Sequence, residues 1–294
     1  MIGNLHTHTS FSDGSSKPER YLREALRQGF DLLGFSDHSP VPFANSFAIK
    51  NSEEAVRDYC DEILNLREKY AKRSSRHSGR KKQGSEMILL LGLEIDFIPG
   101  ITLPIDHYRR NYPFDYFIGS VHLVKNKETG QLWFIDGPKI SRYDDGLMKI
   151  FHGEVPHAVT AYYTQVAEMV SREKPDIIGH LDKIKMHNRG RFFSDSDPWY
   201  LKLVDDTLDV IRTAGGVIEV NTRGIYKKRS DSLFPGPEIL KKILALSIPV
   251  TLASDAHKPR ELSFGFTDAK RLLREIGFKE TYFLQKGGWK ASAL

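Results

Sequence analysis

Short, almost continuously apolar runs recur along this chain, separated by stretches in which apolar residues return every three or four positions. Seven of the runs read as strands, over 2–7, 31–36, 87–95, 115–122, 176–181, 217–221 and 249–254. MILLLGLEI and DYFIGSVHLV are apolar at both alternations, as a parallel strand covered on both faces requires and a half-exposed hairpin does not. The amphipathic stretches 18–28, 53–71, 159–173, 199–213, 237–246 and 268–276 read as helices. Pro18 and Pro237 stand where the first turn of a helix tolerates proline, and Gly29 and Gly215 where a helix stops. TYFL near the C-terminus can add a short final strand. The alternation predicts an α/β fold, but strand count alone does not choose between a barrel and an open doubly wound sheet. No repeat of fixed period and no linker divides the chain, so residues 1–294 are expected to form a single domain.

The chemistry gathers at the C-terminal ends of these strands. The first ends in His6 and His8, with Asp13 just beyond; the second in Asp37 and His38; the third in Glu94; the fourth in His122. The fifth ends in His180 and the seventh in Asp255 and His257. Six of the eleven histidines therefore fall at the end where β/α folds build their sites. Imidazole mixed with carboxylate suits Zn, Mn or Fe, whereas Mg or Ca sites are nearly all oxygen. In His6-Thr7-His8 the residues i and i+2 leave a strand on one face, so both can reach one ion. Six histidines with Asp13, Glu94 and Asp255 exceed one coordination sphere and suffice for two or three ions sharing a carboxylate.

Other polar residues read differently. Asp31, Asp115 and Asp176 sit at strand starts and are expected to serve turns or caps. His77 falls in a basic loop and His107 in a polar loop, both expected to be bystanders, whereas His152 and His157 flank the start of a helix and are expected to be structural. Cations just past the strand ends are candidates for a bound phosphate: Arg223 first, for its forked geometry, then Lys185, with Lys227 and Lys228 behind them. Asp182 and His187 are within reach as proton donors to a leaving group, with a metal-bound water as an equal alternative.

Composition narrows the partners. The net charge of +5 depends on the stretch from Lys72 to Ser85, which holds six Lys/Arg and no acid; without it the balance is −1. That stretch contains no aromatic residue for a base to stack on and precedes the third strand, at the end of a barrel away from the candidate ligands. Both facts argue against nucleic acid as a partner. With a single cysteine, Cys60, no intramolecular disulfide is available, which fits a reducing compartment. No apolar run approaches a bilayer span and no basic-then-apolar leader opens the sequence, so no membrane partner is expected and the cytoplasm is the expected location.

HTHTSFSDG, FSDHSP, GLEID, GSVH, GHLDKIK, EVNTRG and SDAH, in this order, resemble the PHP (polymerase and histidinol phosphatase) family across nearly the whole chain. FSDHSP, YPFDYFIGSVH and EVNTRGIYKK followed by FPGPEIL resemble its monofunctional histidinol-phosphatase branch. The resemblance implies a distorted seven-stranded β/α (TIM-like) barrel with three divalent ions at the C-terminal strand ends. By the same likeness His6, His8, Glu94 and Asp255 would hold the first ion, and Glu94 would bridge to a second completed by His122 and His180. Asp13, His38 and His257 would hold the third, with Glu94, Asp255 and His257 as the catalytic set. The implied substrate is a small-molecule phosphate ester, histidinol phosphate first, whose amine would need a carboxylate such as Asp96 at the mouth. Relatives often carry arginine where Tyr226 stands, a departure from the family's pattern at the phosphate contacts, for which Arg223, Lys185 and Lys227 are the residues expected here. The rival readings are a phosphodiesterase or exonuclease, a nucleotide phosphatase, and a non-catalytic metal-binding module. A non-catalytic module would be expected to have lost ligands, and none of the nine is missing.

Overall fold

The computed structural model describes residues 1–76, 87–285 and 287–294. Most of the basic stretch and His77 lie outside the described residues. Among the described residues, one parallel sheet is formed by β1 (Gly3–Asn4), β2 (Leu32–Phe35), β3 (Ile88–Asp96), β4 (Tyr116–Ser120), β7 (Ile177–Ile178), β8 (Val217–Asn221) and β9 (Val250–Ala253), in that spatial order. Its edges meet: Thr7 bridges Ala256 in parallel, with His8 N–H donating to the Ala256 carbonyl at 2.9 Å and Ala256 N–H to that of His6 at 3.1 Å. The seven strands thus nearly close into a barrel, which decides between the two architectures the strand pattern allowed.

Helices α1 (Pro18–Gln28), α2 (Glu53–Arg76), α3 (Ile105–Asn111), α4 (Ile140–Phe151), α5 (Val155–Glu173), α6 (Pro198–Ala214), α7 (Arg223–Tyr226), α8 (Pro237–Ala245) and α9 (Phe266–Ile276) complete the chain. The strands' outward side chains, such as Leu89, Leu91, Leu93 and Ile95 of β3, form one large core with these helices. Inside the barrel a smaller core of Leu5, Leu32, Tyr116, Ile118, Ile177 and Phe283 fills the N-terminal end. Tyr116 spans that interior and donates to the Leu5 carbonyl. A Cβ on Gly34 or Gly92 would come within 2.2–2.3 Å of its ring or hydroxyl, so both strands need glycine there. TYFL belongs to β10 (Glu280–Gln285), which pairs antiparallel with β11 (Gly288–Ala293) in a hairpin outside the barrel sheet. Phe283 from that hairpin plugs the barrel's lower end.

Several elements differ from expectation. The first strand is short because the Asn4 side chain, at 3.0 Å, takes the His6 N–H that a neighbouring strand would otherwise pair. The run 115–122 ends as a sheet strand at Ser120; its continuation, β5 (Leu123–Lys125), folds back on β6 (Leu132–Phe134) as a separate hairpin. The run looked continuous because the hairpin is buried too, with Trp133 donating to the Tyr143 carbonyl of α4 at 2.9 Å. The strand expected over 176–181 stops at Ile178. Helices α3 and α4 were not anticipated, and His107 lies in α3 instead of a loop. Asp31, Asp115 and Asp176 bond the backbone N–H of Ile2, Leu91 and Phe117 at 2.7–2.9 Å, tying neighbouring segments together at the end opposite the site. Cys60 is buried and its thiol is pushed up to about 12 by burial, an inert core residue. Among the described residues no helix is long and apolar enough to cross a membrane.

Candidate metal centre

A loop and two strained turns aim the donors. After His8 the chain folds back on itself, held by Asp37, whose carboxylate accepts from Thr9 N–H at 2.7 Å and from the Ser12 hydroxyl at 2.6 Å. Burial pushes the Asp37 carboxyl up to about 6, and those donors oppose the shift. Gly14 lies so close to His8 that a Cβ would sit 2.1 Å from its carbonyl oxygen, which explains the glycine after Asp13 in HTHTSFSDG. His180 and Asp255 adopt positive φ, 22° and 51°. Such a backbone costs a residue with a side chain about 1–3 kcal/mol. Here it turns both strand ends so that the side chains enter the mouth.

The inward atoms lie at metal-ligand spacing. His6 Nε2 is 3.3 Å and His8 Nε2 3.4 Å from Glu94 Oε2, and the two ring nitrogens lie 3.9 and 3.3 Å from Asp255 Oδ1. Four ligands about 2.0–2.1 Å from one tetrahedral ion stand about 3.3 Å apart. All four of these atoms are buried without a hydrogen-bond partner, which in a protein interior calls for a cation. The other oxygen, Glu94 Oε1, is 3.2 Å from His180 Nε2 and 3.7 Å from His122 Nε2, and those two nitrogens are 3.1 Å apart. A further group joins His8, Asp13, His38 and His257, in which His257 Nε2 meets Asp13 Oδ2 at 3.1 Å. All nine residues singled out at the strand ends therefore meet in one pocket, and the donor chemistry fits divalent metal.

Carboxylates behind the donors fix the imidazoles. His6 Nδ1 donates to Glu219 Oε1 at 2.6 Å, His122 Nδ1 to Asp96 Oδ1, and His38 Nδ1 to Asp96 Oδ2 at 3.1 Å. For His6 and His122 this leaves Nε2 unprotonated toward the pocket, the usual support for a metal-binding histidine. Burial alone raises the Glu94 carboxyl, but His6, His38 and His122 and a hydrogen bond with His180 hold it well below the usual carboxylate range. Burial also raises Asp255, and Arg223, His6, His8 and His257 outweigh it. Burial, reinforced by His257 and His38, lowers His8 to about 3, whereas Glu94 and Asp96 overcome burial and push His38 up to about 10. The buried anionic charge therefore favours a proton on His38, while burial and crowding by neighbouring imidazoles keep His8 neutral. Glu219→Gln is expected to weaken metal affinity about 10- to 100-fold, read by competition with a chromophoric chelator; unchanged affinity would remove Glu219 from this role.

Glu219 and Asp96 were missed as supports, although their strands carried a signal. Glu219 alternates with Ile218 and Val220, which face the helices, so its carboxylate must face the barrel interior. Asp96 stands two residues after Glu94 on one strand and therefore on its face. Asp96 is fully buried and spent on His38 and His122, so it cannot greet a substrate amine.

The donors floor a cavity of about 830 Å³ whose wall includes Phe47, Phe134, Asp136, Arg142, Arg223 and Arg229. Arg223 lines it as expected, with Nη1 donating to the Asp255 carbonyl at 2.7 Å. Tyr226, one helical turn on, donates from its hydroxyl to the Ser254 carbonyl at 2.9 Å and so braces the same turn. Two other expected phosphate contacts do not reach the cavity. Lys185 Nζ is held by Asp195 at 2.5 Å and Asp182 at 3.1 Å, and Lys227 Nζ by Glu261 at 2.6 Å. A cation not singled out from the sequence, Lys183, also stands beside the donors, 3.2 Å from Asp136 and 4.0 Å from Asp255 Oδ2, an oxygen that Arg223 Nε approaches to 3.8 Å. The expected proton donors are also engaged elsewhere: Asp182 accepts from Gly236 N–H at 3.0 Å, and His187 Nε2 bonds the Gly137 carbonyl at 2.7 Å.

Residues 4–223 match the PHP domain model. A Deinococcus radiodurans protein named "Probable histidinol-phosphatase" is 28% identical over 280 residues, 95% of each chain. The histidinol-phosphatase of Bacillus subtilis is 24% identical over 281 residues, 89% of this chain and 95% of that one. The crystal structure of histidinol phosphate phosphatase from Lactococcus lactis, complexed with zinc, L-histidinol and phosphate, has the same fold, with a TM-score of 0.68 and 19% identity over 98% of each chain. The family match takes in seven of the nine candidate donors, from His6 to His180, and the barrel that carries them closes beyond it through Ala256, which lies between the other two, Asp255 and His257. The chain belongs to the PHP domain family.

Proposed function

We propose that this protein is a metal-dependent phosphomonoesterase that hydrolyses L-histidinol phosphate to L-histidinol and phosphate, a step of histidine synthesis. The observation that carries the reading is the set of four partnerless buried atoms, two imidazole nitrogens and two carboxylate oxygens, at tetrahedral spacing on the floor of a small-molecule cavity. The substrate follows from the relatives, which match along nearly their whole length and carry that name.

His6, His8, Glu94 and Asp255 would hold one ion, Glu94 with His122 and His180 a second, and Asp13, His38 and His257 a third. The mixed nitrogen and oxygen donors suit Zn, Mn or Fe. Ions of this kind lower the pKa of water and neutralise charge developing on a phosphoryl group. The chain's own residues do the rest. Glu94 turns one oxygen to each of the first two donor sets, setting their spacing. Glu219 and Asp96 hold the imidazoles in the tautomer that presents a lone pair. Arg223 spends Nη1 on the Asp255 carbonyl and the Tyr226 hydroxyl and keeps Nη2 of its planar fork for phosphate oxygens. The sheet's closure by β9, beyond the family match, supports treating residues 1–294 as one working unit.

The test is a panel: metal-loaded protein with L-histidinol phosphate, a nucleoside bisphosphate and single-stranded DNA. Turnover is expected to favour L-histidinol phosphate by at least about 100-fold in kcat/KM, as expected of a pocket that reads polar groups. Preference for either nucleotide substrate would overturn the assignment.

A further inference from the structure

Among the described residues, four carboxylates line the cavity: Asp13, Glu94, Asp136 and Asp255. Three of them belong to the donor clusters; Asp136 belongs to none. It follows the β5–β6 hairpin, two residues after Phe134, with Ile135 fully buried between them, so the extended chain turns Phe134 and Asp136 to the cavity together. Asp136 Oδ2 faces Lys183 Nζ at 3.2 Å and the donor His122 Nε2 at 3.8 Å. Its other oxygen, Oδ1, is buried and has no hydrogen-bond partner. Beside it Phe134 stacks on Phe47, with centroids 6.2 Å apart and planes 15° apart, and the Phe47 ring meets His38 edge-on.

An acceptor shielded from water without a donor is costly, and a ligand cation that reaches it is correspondingly favoured. In L-histidinol phosphate the ammonium lies two carbons from the ester oxygen, so when the phosphate is at the donors the amine must be close to them. Asp136, adjoining His122, is the lining carboxylate within that reach that the donor clusters do not use. The aromatic wall next to it is flat and apolar, as a heteroaromatic ring requires.

Resting on the phosphatase reading, we propose that Asp136 is a specificity-determining residue that binds the ammonium of the leaving group, while Phe47 and Phe134 pack its ring. Asp136 thereby takes the role that Asp96 cannot fill.

The experiment compares L-histidinol phosphate with its des-amino analogue, 3-(imidazol-4-yl)propyl phosphate, on the metal-loaded wild type and Asp136→Asn, with metal content verified for both. The wild type is expected to prefer the amine-bearing ester by about 10- to 100-fold in kcat/KM. In Asp136→Asn that preference should collapse toward unity, with the loss carried in KM. A wild type that turns over both esters equally overturns the inference and leaves the phosphatase reading standing. A preference that survives in Asp136→Asn, including the case in which both esters lose activity by the same factor, also overturns it, because Asp136 would then act through Lys183 or the donors. A wild type that turns over neither ester refutes the phosphatase reading and this inference with it.

Discussion

Exhaustive chelation is expected to abolish hydrolysis of L-histidinol phosphate, and Zn or Mn added to the stripped protein is expected to restore it. The reason lies in the composition of the pocket. Its inward atoms are lone pairs and anionic oxygens, and the cations near them, Lys183 and Arg223, each face a carboxylate that offsets part of their charge, Asp136 at 3.2 Å and Asp255 at 3.8 Å. Without metal, neither water activation nor neutralisation of the phosphoryl group has a sufficient source. Binding to the native state alone should also raise the melting temperature, by an amount that grows with free metal concentration. Turnover in a sample verified metal-free would end the metal reading.

Glu94→Gln is expected to lower kcat/KM by about 1,000-fold or more, since losing several kcal/mol of electrostatic stabilisation costs roughly a factor of ten per 1.4 kcal/mol. The amide keeps the shape but loses the charge and one of two ligating oxygens, and Glu94 is the residue whose two oxygens face different donor sets. Ser120, which donates to Oε1 at 2.6 Å, can bond an amide oxygen equally well, so the fold should survive with an unchanged circular dichroism spectrum. Wild-type turnover in metal-replete Glu94→Gln would refute the bridging role.

Much of this architecture was readable before any coordinates. Short apolar runs located every barrel strand, and several of them are apolar at both alternations because helices and the barrel interior cover both faces. Helices α1 and α8 were located to within a residue of their ends by their prolines, periodicity and terminal signals. The nine strand-end residues were legible for the complementary reason: imidazole and carboxylate are too costly to collect at buried strand ends without a cation to repay them.

What lay beyond reach concerns partners distant along the chain. Lys183 and Lys185 are two residues apart and chemically alike, yet one points to the donors and the other to Asp182 and Asp195, because the turn after His180 leaves regular strand geometry. Asp96 looked available for a substrate until folding brought His38 and His122 onto its two oxygens. Asp136 carried no signal, since its hairpin lies beyond the strand read over 115–122 and was assigned to no element. Periodicity and side-chain chemistry are local properties, so the amino-acid order alone determined the class of fold and marked the strand ends where imidazole and carboxylate groups able to hold a metal collect. Side-chain direction outside regular elements, and the pairing of each charge, depend on contacts that exist only once the barrel has closed, and those contacts decide which carboxylates brace imidazoles and which cations face the cavity.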